Sequence, residues 1–397
     1  MTDTSLPFGH HMLEHWPLHP AVTYLNHGTV GVTPRRVMAT QRRIRDEMEQ
    51  QPSRFMLREV SGQVGMPRSE PTRLRVAADE VAAFVGADPD DLVFVENATA
   101  GVNAVLRSVP LEQGDEVVLT DHGYGANART AAFITRERGA YVRTIEVPYP
   151  GFDPEHLIET ITAALTPRTK LVLIDHITSE SGLILPVREI AAACHRAGVP
   201  VLVDGAHAPG VLTLDVPALG VDWYTANLHK WALAPRSSGF LWAHPSRQAN
   251  LHPAIISWGL DQGFQAEFGW LGTRDPTPWL AAPAGIEFLR ELDTDAIWRY
   301  NHALAWRAAT ELPERWGTRL DVQEQHIGFM ATVPLPDQLG ATHVDAARLR
   351  DALLFEDNIE VQVHAGYGRL WTRVSAQVYN EWSDIERLGD VIARRAK

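Results

Sequence analysis

Lys230 follows His229, and upstream the run Asp204-Gly-Ala-His207 closes an apolar stretch. A free lysine amine titrates at about 10.4 and is a poor nucleophile at neutral pH. Burial beside a cation, or condensation with an aldehyde, changes that. An aspartate at the end of a neighbouring strand supplies a carboxylate that can keep an electron-withdrawing ring nitrogen protonated. The competing reading is a turn-capping Asp204 and a surface Lys230. A second group, Asn97-Ala-Thr-Ala-Gly-Val-Asn103, stands between an apolar run and a helical one. Small residues and a threonine hydroxyl at a helix start expose N–H groups to an anion. The Gly-Lys-Ser/Thr of a nucleotide loop is missing, so a compact phosphate monoester fits better. Plain capping by Asn97 or Thr99 competes. Third, Arg373 in Arg-Val-Ser-Ala-Gln-Val-Tyr379-Asn380 can clamp a carboxylate with two parallel hydrogen bonds, or sit in a surface ion pair.

The elements that must hold these groups are legible in the pattern. Short apolar runs at Asp91–Glu96, Glu116–Thr120, Tyr141–Val147, Lys170–Asp175, Val199–Asp204, Trp223–Ala226 and Gly239–Ala243 read as strands. Several are nearly continuous Val, Leu and Ile, as strands covered on both faces must be. Helical stretches at Val102–Arg107, Pro154–Ala164 and Val187–Ala197 separate them, and Gly198 is placed to end the last. Alternating strands and helices predict a doubly wound α/β sheet, whose ligands sit at the carboxyl ends of the strands. After Gly272 helices dominate, at Thr277–Glu291, Ala296–Leu312 and Val344–Phe355, with strands at Gly328–Val333, Ile359–Val363 and Leu370–Val374. The expected division is an N-terminal segment 1–25 packed with a small α+β domain 276–397, and a large domain 26–275. Pro245–Gly272 reads as an irregular aromatic connection.

The bulk numbers remove other classes. Formal charge is 36 − 49 = −13, which repels phosphate backbones and anionic lipid, so no nucleic-acid or membrane partner is expected. The 17 histidines show no metal-ligand spacing. Cys194, the single cysteine, excludes an intrachain disulfide and fits a reducing compartment. Met1–Pro20 is interrupted by Pro7, His10, His11, Glu14 and His15, so no apolar targeting core is expected there. No apolar window reaches the length of a membrane span. These features point to a soluble, cytoplasmic protein.

Taken together, Asp204-x-x-His207, His229-Lys230, Asn97-Ala-Thr99, Gly272-Thr273 and Arg373-x-Ser-x-x-Tyr379-Asn380 resemble, in order and spacing, the class V aminotransferase-fold enzymes. The resemblance runs from about Tyr24 to the C-terminus. Leu25-Asn-His-Gly-Thr-Val-Gly31, Asp121-His-Gly-Tyr-Gly-Ala126, His176-Ile-Thr-Ser-Glu-Ser-Gly-Leu183 and Asn227-Leu-His-Lys-Trp231 look most like the isopenicillin N epimerase-like branch, which includes carbon–sulfur lyases. The resemblance implies pyridoxal-phosphate fold type I, with a large domain built on a mostly parallel seven-stranded sheet. It also implies residue roles. Lys230 would carry the cofactor as a Schiff base and then move the Cα proton. Asp204 would face the ring nitrogen, and His207 would lie near the ring hydroxyl. Thr99, the Ala98 backbone, Asn227 and His229 would hold the phosphate. Thr273 would reach the phosphate of a neighbouring subunit, making at least a homodimer. His122 or Tyr124 would cover the ring face, and Arg373 would take the substrate carboxylate, with Asn26 and His27 lining the substrate side. Ser179 stands where many relatives have Asn, which leaves that cofactor contact open.

Three reactions of an amino-acid substrate then compete: Cα epimerisation, carbon–sulfur β-elimination, and transamination. Epimerisation needs a second acid besides Lys230, with His27 and Tyr124 as candidates. Cysteine desulfuration needs a mobile thiolate, and a helical Cys194 is poorly placed to be one. A non-catalytic binding protein retaining the fold is the alternative from a different class. A dinucleotide-dependent dehydrogenase would need Gly-x-Gly-x-x-Gly after the first strand, which is absent there. Trp231 and Trp270 read as packing residues.

Overall fold

The computed structural model describes residues 8–61 and 71–397. Of the N-terminal segment and its targeting-core reading, residues 1–7, including Pro7, lie outside the described residues. Among the described residues, twelve strands form three sheets. A two-residue strand β1 (Thr23–Tyr24) precedes the large sheet. That sheet comprises β2 (Leu92–Val95), β3 (Glu116–Thr120), β4 (Tyr141–Ile145), β5 (Thr169–Asp175), β6 (Val201–Asp204), β7 (Trp223–Asn227) and β8 (Gly239–Ala243). Beyond it lie β9 (Met330–Pro334), β10 (Ile359–Glu360), β11 (Gln362–Gly366) and β12 (Arg369–Ser375).

The large sheet has the order β2-β8-β7-β6-β5-β3-β4, and β8 alone runs against its neighbours. Alternate residues of one strand feed different cores. Val201 and Val203 of β6 pack on one face with Val172, Ile174 and Tyr224, while Leu202 packs on the other with Leu171, Leu173 and Trp223. Both faces are apolar because helices cover both, which is why the period-2 signal vanished into continuous hydrophobic runs. The β4 edge is the exception. Its Tyr141 and Arg143 are partly exposed and both bond Glu116 of β3, and charge on an edge discourages further pairing.

Several helix ends coincide with caps that the sequence supplies. Asn97 Oδ1 accepts from the Ala100 N–H at the start of Ala98–Ser108, and Asp153 caps Pro154–Ala164. Gly198, at φ 75°, ends Val187–Arg196 as expected. The predicted helix over Thr277–Glu291 is two pieces, Thr277–Leu280 and Ala282–Glu291, in a stretch where Pro278 and Pro283 have no N–H to donate. Among the described residues the longer helices that went unrecognised are Arg35–Gln50, Arg73–Phe84, Gly125–Glu137 and Trp382–Arg395, and the short helix Phe264–Gly269 lies in the stretch read as irregular.

The small sheet, β11-β12-β9, is antiparallel and packs on the long helix Thr294–Trp316. The strand expected over Ile359–Val363 divides at Val361. Its first half, β10, pairs in parallel with β1, and its second half, β11, pairs with β12. Asn26, two residues past β1, bridges to Ser375 at the end of β12. The segment after β1 thereby runs from the small sheet towards the ends of the large one. No helix of the described residues is long and apolar enough to cross a membrane.

Candidate active site

The carboxyl ends of β5, β6 and β7 form a polar floor. Asp204 ends β6 in register with Asp175 of β5 and Thr225 of β7. It is buried; Oδ1 accepts from the Ala206 N–H at 2.9 Å and Oδ2 accepts from the Asn127 amide. Burial pushes its pKa up, opposed by the Ala206 N–H, by Lys230 and by Asn127. Asp175 is pushed well above the carboxylate range, first by burial and then by the charge of Asp204. Two buried acids on adjacent strands cannot both ionise cheaply, and Asp204, with two donors aimed at it, is the one that keeps its charge. Among the described residues no cationic side chain lies within 4.0 Å of it.

Lys230 follows β7 and is buried, so the surface-lysine reading fails. Its Nζ lies 3.0 Å from His207 Nε2. Burial brings the amine down to about 8; Asp204 and Asp175 pull it upward, and Arg373 works against them. Its main chain is held from behind. His27 Nε2 donates to the Lys230 carbonyl at 3.1 Å, and His27 Nδ1 accepts from the Tyr379 hydroxyl at 2.9 Å. Gly31 sits at φ 66°, where a Cβ would come within 1.9 Å of the His229 carbonyl oxygen, so no side chain fits there. This corrects one expectation. His27 is fully buried with both nitrogens engaged and its pKa lowered by burial to about 4, so it positions Lys230 and does not line the substrate side.

At the start of Ala98–Ser108, the Ala98 N–H donates to Asn227 Oδ1 at 2.9 Å. That bond uses the Ala98 donor, and the Thr99 hydroxyl has no hydrogen bond among the described residues. His229 Nδ1 donates to the Ser238 carbonyl at 3.0 Å, and burial lowers its pKa to about 4. Thr273 is exposed, on a loop whose next residue, Arg274, pairs with Glu96.

Arg373, on β12, is 2% exposed. It donates to the Ser179 carbonyl oxygen and to Thr29 Oγ1 at 2.8 Å, and its Nε has no partner. Thr29 in turn donates to Asn26 Oδ1. Ser179 thus contributes its main chain to Arg373. Burial lowers the guanidinium to about 10, which leaves it cationic at neutral pH. No carboxylate lies within 4.0 Å of it among the described residues, so the surface ion-pair reading fails as well. A buried, unpaired guanidinium calls for an anion.

The two candidates for the ring face differ. His122 is pinned, with Nδ1 2.7 Å from Ser181 Oγ, Nε2 against the Tyr367 hydroxyl, and its ring edge on Tyr149. Tyr124 precedes the helix Gly125–Glu137, is 44% exposed, and has no side-chain hydrogen bond among the described residues. Tyr367 sits at the tip of the β11–β12 hairpin, at φ 52°, reaching from the small sheet to the loop after β3.

Asp175, Asn127, Trp231 and Tyr367 were missed as polar participants. Asp175 carried the same signal as Asp204, an acid closing an apolar strand. Tyr367 lies between Gly366 and Gly368, a turn signal, but nothing local says which distant loop it touches. Trp231 packs as expected, and its indole N–H also bonds His207.

This donor set fits pyridoxal phosphate. A buried amine near neutrality, a buried carboxylate without a cation, and a helix start with a free hydroxyl match its aldehyde, ring nitrogen and phosphate. Cys194 is buried in its helix, and burial, with Asp222, raises the thiol to about 11, which removes it as a sulfur carrier.

Comparison with known proteins agrees. The family model for aminotransferase class-V matches residues 40–388. The chain is 33% identical to isopenicillin N epimerase of Streptomyces clavuligerus, across 94% of this chain and 95% of that one. It is 32% identical to a probable chloroplastic L-cysteine desulfhydrase of Arabidopsis thaliana, across 94% and 82% respectively. Among solved structures, the apo cysteine desulfurase of Thermococcus onnurineus superposes with a TM-score of 0.79 at 21% identity, covering 100% of this chain and 99% of that one. The matched length, the fold and the polar floor lead to one assignment: the chain belongs to the class V aminotransferase family, pyridoxal-phosphate enzymes that act on amino acids.

Proposed function

We propose that this enzyme cleaves the carbon–sulfur bond of a cysteine-derived amino acid by β-elimination. One observation carries the choice of reaction: Lys230 is the only buried lysine amine among the described residues, and His27, one of the two further acids expected from the sequence, is committed to the Lys230 carbonyl and Tyr379. β-Elimination needs a single base at Cα. Pyridoxal phosphate, when bound, draws electrons from the bonds to Cα.

The side chains divide the remaining work. Asp204, fixed by Asn127 and the Ala206 N–H, faces the ring nitrogen. Asn227, His229 and Thr99 hold the phosphate, and Tyr124, whose ring is unattached, covers the ring face. Arg373 binds the substrate carboxylate, held at the right height by Ser179, Thr29 and Asn26. The Lys230 amine takes the Cα proton, the Cβ–S bond breaks, and sulfur leaves as a thiol; hydrolysis then gives pyruvate and ammonia. The desulfhydrase names of several relatives support this chemistry. Cα epimerisation is the second reading, favoured by the free Tyr124 hydroxyl as a proton donor on the other face. Thr273 from a second copy of the chain completes the phosphate site, making the working unit a homodimer. The lone cysteine and acidic charge support a cytoplasmic setting.

Incubation with cysteine, cystine and cysteine conjugates in deuterated water tests the reading. Pyruvate and thiol release are expected. Deuterium at Cα of recovered substrate without pyruvate would turn the assignment to epimerisation, and a keto acid retaining the sulfur side chain would turn it to transamination.

A further inference from the structure

We propose that Trp231 sets the reactivity of Lys230 by fixing the tautomer of His207, which favours the free-amine form of the lysine. The inference rests on the reading of Lys230 as the reactive amine and concerns what prepares it.

Three side chains in a row carry it. The Trp231 Nε1–H donates to His207 Nδ1 at 3.3 Å, and His207 Nε2 lies 3.0 Å from Lys230 Nζ. An indole nitrogen can only donate, so His207 Nδ1 must be the accepting, unprotonated nitrogen. A neutral imidazole with a bare Nδ1 carries its proton on Nε2. That proton points at Nζ, and Nζ must accept it. An ammonium has three donors and no lone pair, so only the neutral amine completes the chain. Trp231 is the next residue after Lys230, yet its side chain reaches His207 from the far side.

The indole is held rigidly enough to impose this. Trp231 is buried, its ring tilted against His27 at 4.9 Å and met edge-on by Phe329 at 5.4 Å. Rotation would disturb His27, which holds the Lys230 carbonyl. The charges around the pair come from every side. Asp204 and Asp175, on β6 and β5, favour the ammonium; Arg373, on β12, and His229, next in the chain, disfavour added positive charge. Burial drives both His207 and Lys230 towards their neutral forms, consistent with the hydrogen-bond direction. Removing the indole donor frees His207 to place its proton on Nδ1 and accept from an ammonium at Nε2, which stabilises the charged lysine.

The chain has three lysines, Lys170, Lys230 and Lys397, so amine reactivity can be followed residue by residue. The cofactor-free protein, prepared with hydroxylamine and dialysis, is labelled by trace acetic anhydride between pH 6 and 10, and each lysine is quantified by mass spectrometry. In Trp231→Phe the Lys230 profile is expected to move up by about one pH unit, cutting its labelling at pH 7 about tenfold, with Lys170 and Lys397 as unchanged references. An unshifted Lys230 profile overturns the proposal. Should the Phe variant fail to fold, ¹⁵N spectra of histidine-labelled wild-type protein decide, with the His207 signal identified through His207→Gln. A proton on Nε2 supports the proposal, and a proton on Nδ1 overturns it. A shifted Lys230 profile in a protein whose Lys230 never captures pyridoxal phosphate would break the proposed function while leaving this inference intact.

Discussion

The floor and the rim of the site are built on different principles. On the floor, Asp204, Lys230 and His207 come from β6, from the chain just after β7 and from the turn between them, and every one is braced by main-chain or buried neighbours. On the rim, Arg373 and Tyr367 come from the small sheet and reach across to Ser179, Thr29 and His122 on other elements. The floor sets an amine and an acid at particular protonation states. The rim supplies a cation with no carboxylate partner among the described residues and a shape held by contacts between elements. In the proposed mechanism the chemistry is placed on the large sheet, and substrate binding where the two sheets meet.

That contrast makes ordered predictions, the floor affecting turnover and the rim affecting KM. Lys230→Ala should lower kcat by about 10⁴-fold, because it deletes the base proposed to move the Cα proton. Measurable turnover near wild type would move the chemistry off Lys230. Asp204→Asn preserves shape and the Asn127 neighbourhood while removing charge, and should lower kcat by about 10²–10³-fold with little change in KM. A KM effect alone would place Asp204 on the binding side of the comparison. In cofactor-free wild-type protein, the rate of pyridoxal-phosphate capture should rise with pH. With the Lys230 amine at about 8, its neutral fraction, and so the rate, is about a hundredfold lower at pH 6 than on the plateau above pH 9. A flat stopped-flow profile would show that the amine is not depressed. Arg373→Ala should raise KM by about 10–100-fold at nearly constant kcat, the loss expected for a charge-assisted bond of about 1.5–3 kcal/mol. Tyr367→Phe should be mildest, a change of about two- to tenfold in KM for the loss of one neutral hydrogen bond. A kcat loss from Tyr367→Phe matching that of Asp204→Asn would erase the distinction between floor and rim.

The floor was readable from sequence because strand ends announce themselves. An acid closing Val-Leu-Val at 201–203 and a His-Lys pair after another strand fix positions in three dimensions once the sheet is recognised. All seven strands of the large sheet appear near their expected residues, and for all but the β4 edge double-sided burial leaves the apolar signature. The helices Arg35–Gln50 and Trp382–Arg395 were less legible. They are rich in charge, and only a narrow stripe, such as Val37 and Ile44, is buried. His27 was misread for a different reason. The motif placed it near the site, but whether a histidine faces the substrate or the back of Lys230 depends on Tyr379 and on a carbonyl some 200 residues away, and no local pattern encodes that. The Tyr367–His122 contact has the same character, because it exists only where the small sheet meets the large one.

Reduction with borohydride in the presence of pyridoxal phosphate, followed by peptide mapping, reads out which amine carries the cofactor. With three lysines available, one stable pyridoxyl adduct is expected, on Lys230. An adduct confined to Lys170 or Lys397, or none at all, would contradict it.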